Sequence, residues 1–65
     1  MRFKNWRVGK IYKYLYLHDD QTVLIKDICE ATRLSKPTVI KYVRWLEKRG
    51  LIKKSGKHFE VLPLD

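Results

Sequence analysis

The chain opens with a helical pattern of apolar residues. They recur at the i, i+3, i+4, i+7 spacing of a helix that buries one face, and they are Val8, Ile11, Tyr12 and Leu15. Asn5 precedes them as a good N-cap, so we predict a helix over about residues 6–18. Other large side chains of this segment fall partly outside the stripe: Trp6, Tyr14, Tyr16 and Leu17. They indicate either a homodimer contact through this helix or aromatic side chains that are simply exposed.

Two short elements are expected to follow. Polar residues at 18–22 end the first helix, and the apolar, partly β-branched segment 23–25 predicts a very short strand. A second helix is predicted over residues 26–32, with Ile28 and Ala31 facing inward.

The third helical segment combines two different faces. Ser35 is a good N-cap, Pro37 is tolerated in a first helical turn, and Gly50 ends a helix, so we predict a helix over about residues 36–49. At about 100° per residue, one side holds Val39, Val43 and Leu46, with Tyr42 at its margin. The opposite side holds Pro37, Lys41, Arg44 and Lys48. We therefore expect one face to anchor the helix and the other to meet a partner.

After Gly50 the hydrophobic period changes from helical to two. The segments "LIKK" and "HFEVL" flank Ser55 and Gly56, a turn pair in which glycine supplies the positive φ of a hairpin turn. This predicts a two-stranded hairpin over residues 51–62. Charge concentrates around its tip, where no core requires it, at Lys53, Lys54 and Lys57.

Length and charge narrow the class of protein. A chain of 65 residues has room for one small domain, and a hydrophobic content of 45% indicates a folded chain despite a net charge of +8. The charge is segregated: residues 1–18 carry +5, 19–32 carry −3, 33–58 carry +8 and 59–65 carry −2. Such segregation indicates a face that meets an anionic partner, nucleic acid first and a membrane surface second. No apolar run approaches the roughly 20 residues of a membrane span.

The residue patterns of an enzyme are missing from the sequence. There is no nucleophile beside a base, no paired carboxylates, no glycine-rich phosphate loop and no metal-ligand spacing. We therefore expect no catalysis, no metal and no cofactor, and Cys29 is expected to be a small packing residue. The single cysteine and the lack of a signal-peptide pattern predict a cytoplasmic protein.

The segment "IKDICEATRLSKPTVIKYVRWLEKRGLIKK" resembles the winged helix-turn-helix regulators of bacteria and archaea. The likeness lies in a "Leu-Ser-x-x-Thr-Val" recognition helix and a "Leu-Glu-x-x-Gly-Leu-Ile" exit into the wing. It implies an α+β fold in a single domain of residues 1–65, with three helices, a short strand and a C-terminal β-hairpin wing. Two residues depart from the pattern: Arg33 stands where glycine is common, and Trp45 is large for an exposed position. Trp45 can cover the core edge, stack on a second subunit or meet a DNA backbone.

The residues and the resemblance agree on a function. A major groove about 12 Å wide admits one helix, and helix 36–49 has a cationic front. We predict sequence-specific binding of double-stranded DNA, without a membrane partner, by a small repressor-like regulator whose wing, residues 51–62, lies on the flanking backbone. Lys41 is the first candidate for reading a base. The predicted DNA-binding residues are Arg33, Ser35, Lys36, Pro37, Thr38, Lys41, Arg44, Lys48, Lys53, Lys54 and Lys57.

Two other functions remain open from the sequence. A winged-helix module for protein interaction, such as a replication accessory module, would expose an apolar patch on the third helix or the wing. A module for RNA or single strands would stack bases on exposed aromatic rings, for which Trp6, Trp45 and the tyrosines are candidates.

Overall fold

The computed structural model describes residues 5–19 and 21–62. Three helices come first, α1 (Trp6–Leu17), α2 (Ile25–Thr32) and α3 (Lys36–Lys48), and an antiparallel hairpin of β1 (Ile52–Ser55) and β2 (His58–Val61) follows. This confirms the predicted α+β arrangement of three helices and a hairpin. The ends of the predicted domain of residues 1–65, positions 1–4 and 63–65, lie outside the described residues.

Asn5 starts α1 as the sequence predicts. Its side-chain Oδ1 accepts hydrogen bonds from the backbone N–H groups of Arg7, at 2.9 Å, and Val8, at 3.1 Å. These bonds satisfy two of the backbone N–H groups that have no acceptor within the helix at its N-terminus. The predicted stripe is confirmed, since three of its members are buried and Tyr12 is half-buried at the margin. The helix ends at Leu17, one residue before the predicted end.

The strand predicted at residues 23–25 is wrong in position and extent. Thr22 pairs with His58 in an isolated β-bridge, and the Val23 N–H donates to the Lys57 carbonyl at 3.2 Å. The pairing cannot extend further because the chain enters α2 two residues later.

The buried face of α2 also differs from the prediction. Ile28 is buried as expected, but Ala31 is exposed and Thr32 is buried instead. The half-buried Ile25 and Cys29 pack against the core, and together with Ile28 they centre the inner face about a third of a turn away from Ala31. The Thr32 hydroxyl is satisfied inside the protein because it donates to the Ile28 carbonyl at 2.6 Å.

The turn between α2 and α3 contains a residue in the left-handed conformation. Arg33 has φ 61° and ψ 29°, a region that glycine enters without steric cost and other residues rarely adopt. Its N–H donates to the Cys29 carbonyl at 2.8 Å, and the next residue, Leu34, packs against the core. The arginine thus keeps the tight turn that the resemblance associates with glycine.

One cluster of buried side chains joins all five elements. Within the described part of the chain it contains Val8, Ile11, Leu15, Val23, Ile28, Val39, Tyr42, Val43, Leu46, Ile52 and Phe59. The helix predicted over residues 36–49 is confirmed to within one residue, because α3 ends at Lys48. The chain then leaves α3 through Gly50, which has φ 71° and so resembles the usual left-handed helix terminator.

The hairpin is attached to the helices at several points. Ile52 and Phe59 are buried in the core, and Gly56 takes φ 63° in the turn, as the sequence predicts. At the base of the hairpin the Asp19 carboxylate accepts the Val61 N–H at 3.1 Å. The two strands therefore form part of the body of the molecule.

Replacing Arg33 by glycine should stabilise the fold. Glycine avoids a left-handed steric cost of about 1–2 kcal/mol, although its greater freedom in the unfolded chain offsets about 0.5–1 kcal/mol of that gain. We expect Arg33→Gly to raise the free energy of unfolding by up to about 1.5 kcal/mol in urea titrations of the DNA-free protein. Arg33→Ala is the matched control, since it removes the same charge and keeps a Cβ. A glycine variant no more stable than the alanine variant would contradict this expectation.

Candidate nucleic-acid interface

Both predicted faces of α3 are present in the structure. The inner side buries Val39, Tyr42, Val43 and Leu46. The opposite side, which we call the outer side of α3, exposes Pro37, Lys41, Arg44 and Lys48. Glu47 is the only acidic residue of the helix, so the outer side carries a strong positive potential. The helix is fixed from behind and presents its charges to the solvent.

The start of α3 has backbone N–H groups that no side chain caps. Ser35 occupies the N-cap position but makes no capping bond to the backbone, because its hydroxyl shares a 2.8 Å hydrogen bond with the hydroxyl of Thr38. Lys36 is exposed at the same end. The positive end of the helix dipole and this lysine together favour a phosphate or a base acceptor here.

Lys41 extends from the second turn of α3 over a ring that is itself anchored. Its Nζ lies 5.6 Å from the centroid of the Tyr42 ring, within the range of a cation–π contact. The Tyr42 hydroxyl accepts a hydrogen bond from Asn5 Nδ2 at 3.1 Å. The start of α1 therefore supports the part of α3 from which Lys41 projects.

The wing distributes its lysines between its two faces and its tip. Lys53 stands opposite Glu60, and Lys54 stands opposite Phe59, and directly opposed residues share a face of a hairpin. The charge of Lys53 is thus offset by a neighbouring acid, whereas Lys54 has an apolar neighbour. Lys54 and Lys57 line one shallow pocket between the wing tip and the start of α2. These two are the wing cations without an acid across the hairpin.

Some of the predicted DNA-binding residues line one groove on the surface. Lys36 and the outer side of α3 line a single open groove, together with Ile40 and Trp45, which the sequence did not assign to the site. The wing lysines and Arg33 lie outside that groove, although Arg33 is exposed in the turn before α3. Helical spacing could have identified Ile40, since it lies between Lys36 and Arg44 and outside the aliphatic stripe.

Trp45 covers an edge of the core. It is half-buried and packs against the core cluster, and the Arg49 guanidinium carbon lies 4.8 Å from the centroid of its ring. Of the three roles considered from the sequence, the structure thus supports the role at the core edge.

The residues predicted for a dimer interface fall into two groups. Trp6, Tyr16 and Leu17 are 59%, 63% and 63% exposed. Tyr14, by contrast, is half-buried against the core, and its ring stacks on His18 at a centroid distance of 4.1 Å. Trp6, Tyr16 and Leu17 are therefore the large hydrophobic side chains that α1 exposes, whereas Tyr14 packs against the core.

Two basic side chains of α1, Arg7 and Lys10, make contacts within the chain. The Arg7 guanidinium lies 4.7 Å and the Lys10 ammonium 5.5 Å from the centroid of a Trp6 ring. Lys10 Nζ also donates to the Thr32 carbonyl at 3.1 Å, which places a cation at the C-terminal end of α2 and complements its dipole.

Two other kinds of feature, a metal site and a membrane span, are absent from residues 5–19 and 21–62. No group of three His, Cys, Asp or Glu side chains in those ranges could hold a metal ion. No helix there has both the length and the apolar character that crossing a bilayer requires. Cys29 is half-buried and packs against the core, which confirms its predicted packing role.

Comparison with known proteins gives one family. The sequence model described as winged helix-turn-helix DNA-binding matches residues 9–53, which is more than half of the chain and runs from α1 into β1. No curated protein and no solved structure matches the chain significantly.

Proposed function

Because the chain belongs to the winged helix-turn-helix DNA-binding family, we propose that it binds double-stranded DNA sequence-specifically as a small transcriptional regulator of the repressor type. The observation that carries the proposal is the exposed cationic outer side of α3, behind which the same helix is buried in the core. A protein of this kind would work in the cytoplasm, on nucleoid or host-cell DNA.

The dimensions of α3 suit a major groove. Its 13 residues span roughly 20 Å, and a groove about 12 Å wide admits one helix. When the N-terminal half enters first, Lys41 meets a base edge, with Lys36 and Thr38 beside it. Arg44 then reaches a base or a phosphate according to the tilt of the helix, and Lys48 reaches the backbone.

Contacts on either side of α3 supply affinity more than specificity. Arg33 and Ser35 precede the helix next to its uncapped N–H groups, which favour a phosphate, and Pro37 lies beside them in the first turn. On the other side the wing places Lys54 and Lys57 along the flanking backbone. Lys53 contributes less because Glu60 opposes it.

Two alternative functions have less support from the geometry. A protein-interaction or replication accessory module needs an apolar docking face, but the outer side of α3 and the wing are mainly cationic. A single-strand or RNA binder needs exposed rings for stacking, but Trp45 packs against the core and two cations lie over Trp6. Mobility-shift competition should therefore favour a duplex over either of its separated strands; the reverse order would support the single-strand function.

A homodimer through the outer face of α1 is part of the proposal. Trp6 and Leu17 lie on that face at helical spacing, with Lys10 and Lys13 between them and Tyr16 beside them. Two copies would bury the exposed rings and bring like charges together. The association should therefore be opposed by electrostatic repulsion.

Added salt should strengthen this dimer, because the Debye length shortens as ionic strength rises and the lysines are screened. Sedimentation velocity at about 0.1 M and about 0.5 M NaCl is expected to show a larger dimer fraction at the higher salt. A variant with Tyr16→Ser and Leu17→Ser should be monomeric at both. A wild-type chain that stays monomeric throughout would exclude the dimer.

Lys41→Ala should weaken binding to the preferred duplex by about 1–3 kcal/mol and leave binding to unrelated DNA nearly unchanged. The matched control is Lys48→Ala on the same side of the helix, which should weaken both kinds of DNA equally as a backbone contact. Fluorescence anisotropy with the two duplexes measures the difference. Because Lys41 is exposed, its variant should keep its free energy of unfolding within about 0.5 kcal/mol. Equal loss on both duplexes would assign Lys41 to a phosphate.

The salt dependence of DNA binding should show whether the wing lysines contact phosphates. If each monomer neutralises about five phosphates, the logarithm of the binding constant falls with the logarithm of the salt concentration at a slope of about −4.5. Lys54→Gln or Lys57→Gln should each flatten that slope by about 1, and Lys53→Gln, opposite Glu60, should change it less. Titrations at several salt concentrations provide the slopes, and three unchanged slopes would remove the wing from the interface.

A further inference from the structure

One aliphatic side chain of α3 is not explained by the core. Every other hydrophobic side chain of the six in this helix belongs to the core cluster or packs against it. Ile40 lies outside that cluster and is half-exposed in the open groove on the outer side of α3. A single exposed aliphatic residue is ordinary on a protein surface. Because cations line the groove around Ile40, its apolar side chain affects what that groove can recognise.

The neighbours of Ile40 define its position towards DNA. Lys36 lies one turn before it and Arg44 one turn after it on the helix surface, and Pro37 adds a second apolar side chain at the i−3 position. Ile40 belongs to the N-terminal half of α3, the half that meets base edges in helix-turn-helix proteins. Cations on both sides that hold phosphates or bases would remove its side chain from water.

The chemistry of isoleucine limits what it can recognise. It has no hydrogen-bond donor or acceptor, and the apolar group that base pairs present in the major groove is the C5-methyl of thymine. Against that methyl, two apolar surfaces are buried together. Against a cytosine amine or a guanine oxygen, a polar group would lose its water without gaining a partner.

We infer that Ile40 is a specificity-determining residue that selects a thymine through its C5-methyl group, near the base pair that Lys41 contacts. The inference rests on the proposed function and adds one feature of the bound sequence. It assigns thymine recognition to van der Waals contact, whereas Lys41 reads by hydrogen bonding.

The test uses duplexes that differ by single methyl groups. The wild-type protein first selects its preferred duplex from a random library, and that duplex is resynthesised with deoxyuridine replacing each thymidine in turn. Deoxyuridine keeps every hydrogen-bonding group and lacks only the methyl. At one position per bound monomer we expect the dissociation constant to rise about fourfold, the equivalent of one buried methyl-sized group.

Two variants test whether the rise in the dissociation constant on deoxyuridine duplexes depends on Ile40. Ile40→Ala should bind the thymidine and deoxyuridine duplexes equally, whereas Ile40→Val, which keeps a branched apolar side chain, should still prefer thymidine. Both variants should fold, because Ile40 is not part of the core cluster. A deoxyuridine effect that persists in Ile40→Ala would assign the thymine to another residue and overturn the inference.

The results also separate this inference from the proposed function. A protein that selects a duplex but responds to no single deoxyuridine keeps the proposed function and loses the role of Ile40. A protein that selects no duplex loses both.

Discussion

The burial of one side of α3 is the interaction on which the rest of the structure depends. This helix contributes more residues to the core cluster than any other element, and it packs against α1, α2 and β1. A domain of this size buries about 60% of the surface of its unfolded chain and is marginally stable, so the loss of one large buried side chain such as Leu46 would remove a substantial part of its stability. The same burial sets the rotation of the helix about its own axis. Stability and the orientation of the cationic side chains therefore have a common origin.

The periodic parts of the fold could be predicted from the sequence, and the parts that depend on distant pairing could not. The stripe of α1, both sides of α3 and the hairpin follow from local spacing. The bridge from Thr22 to His58 and the hydrogen bond from Asn5 to Tyr42 join residues far apart in the chain, and no local pattern indicates them. In α2, only eight residues long, the spacing could not decide whether Ala31 or Thr32 completes the buried face.

The candidate site shows the same division. Charge and helical spacing identified which cations lie on the outer side of α3, because one helix sets their relative positions. The different surroundings of the wing lysines depend on the register of the hairpin, which pairs Lys53 with Glu60. Ile40 was not among the predicted site residues, because only short or cationic side chains were expected on the side of the helix that faces DNA. A search of the helix for aliphatic residues outside the buried stripe would have found it.

The segregated charge couples stability to ligand binding. Residues 33–58 carry a net +8, and like charges held close together in a small fold repel one another. A polyanion that binds only the folded state relieves this repulsion and raises the apparent stability. The fold should accordingly be more resistant to unfolding on DNA than alone. In such a protein, the fraction of molecules that is folded rises with the fraction that is bound to DNA.

The hydrogen bonds around the hairpin have a mechanical consequence. The Val23–Lys57 bond joins the tip of the hairpin to the segment before α2, and the Asp19–Val61 bond joins its base to the segment after α1. Because β1 also packs against α3, these contacts restrict the position of the wing relative to α3. Under the proposed function, α3 and the wing would contact a duplex at a restricted spacing, and a duplex with a different groove spacing would have to deform to be bound. Sequences that bend at low energetic cost would then be favoured at positions that no side chain touches.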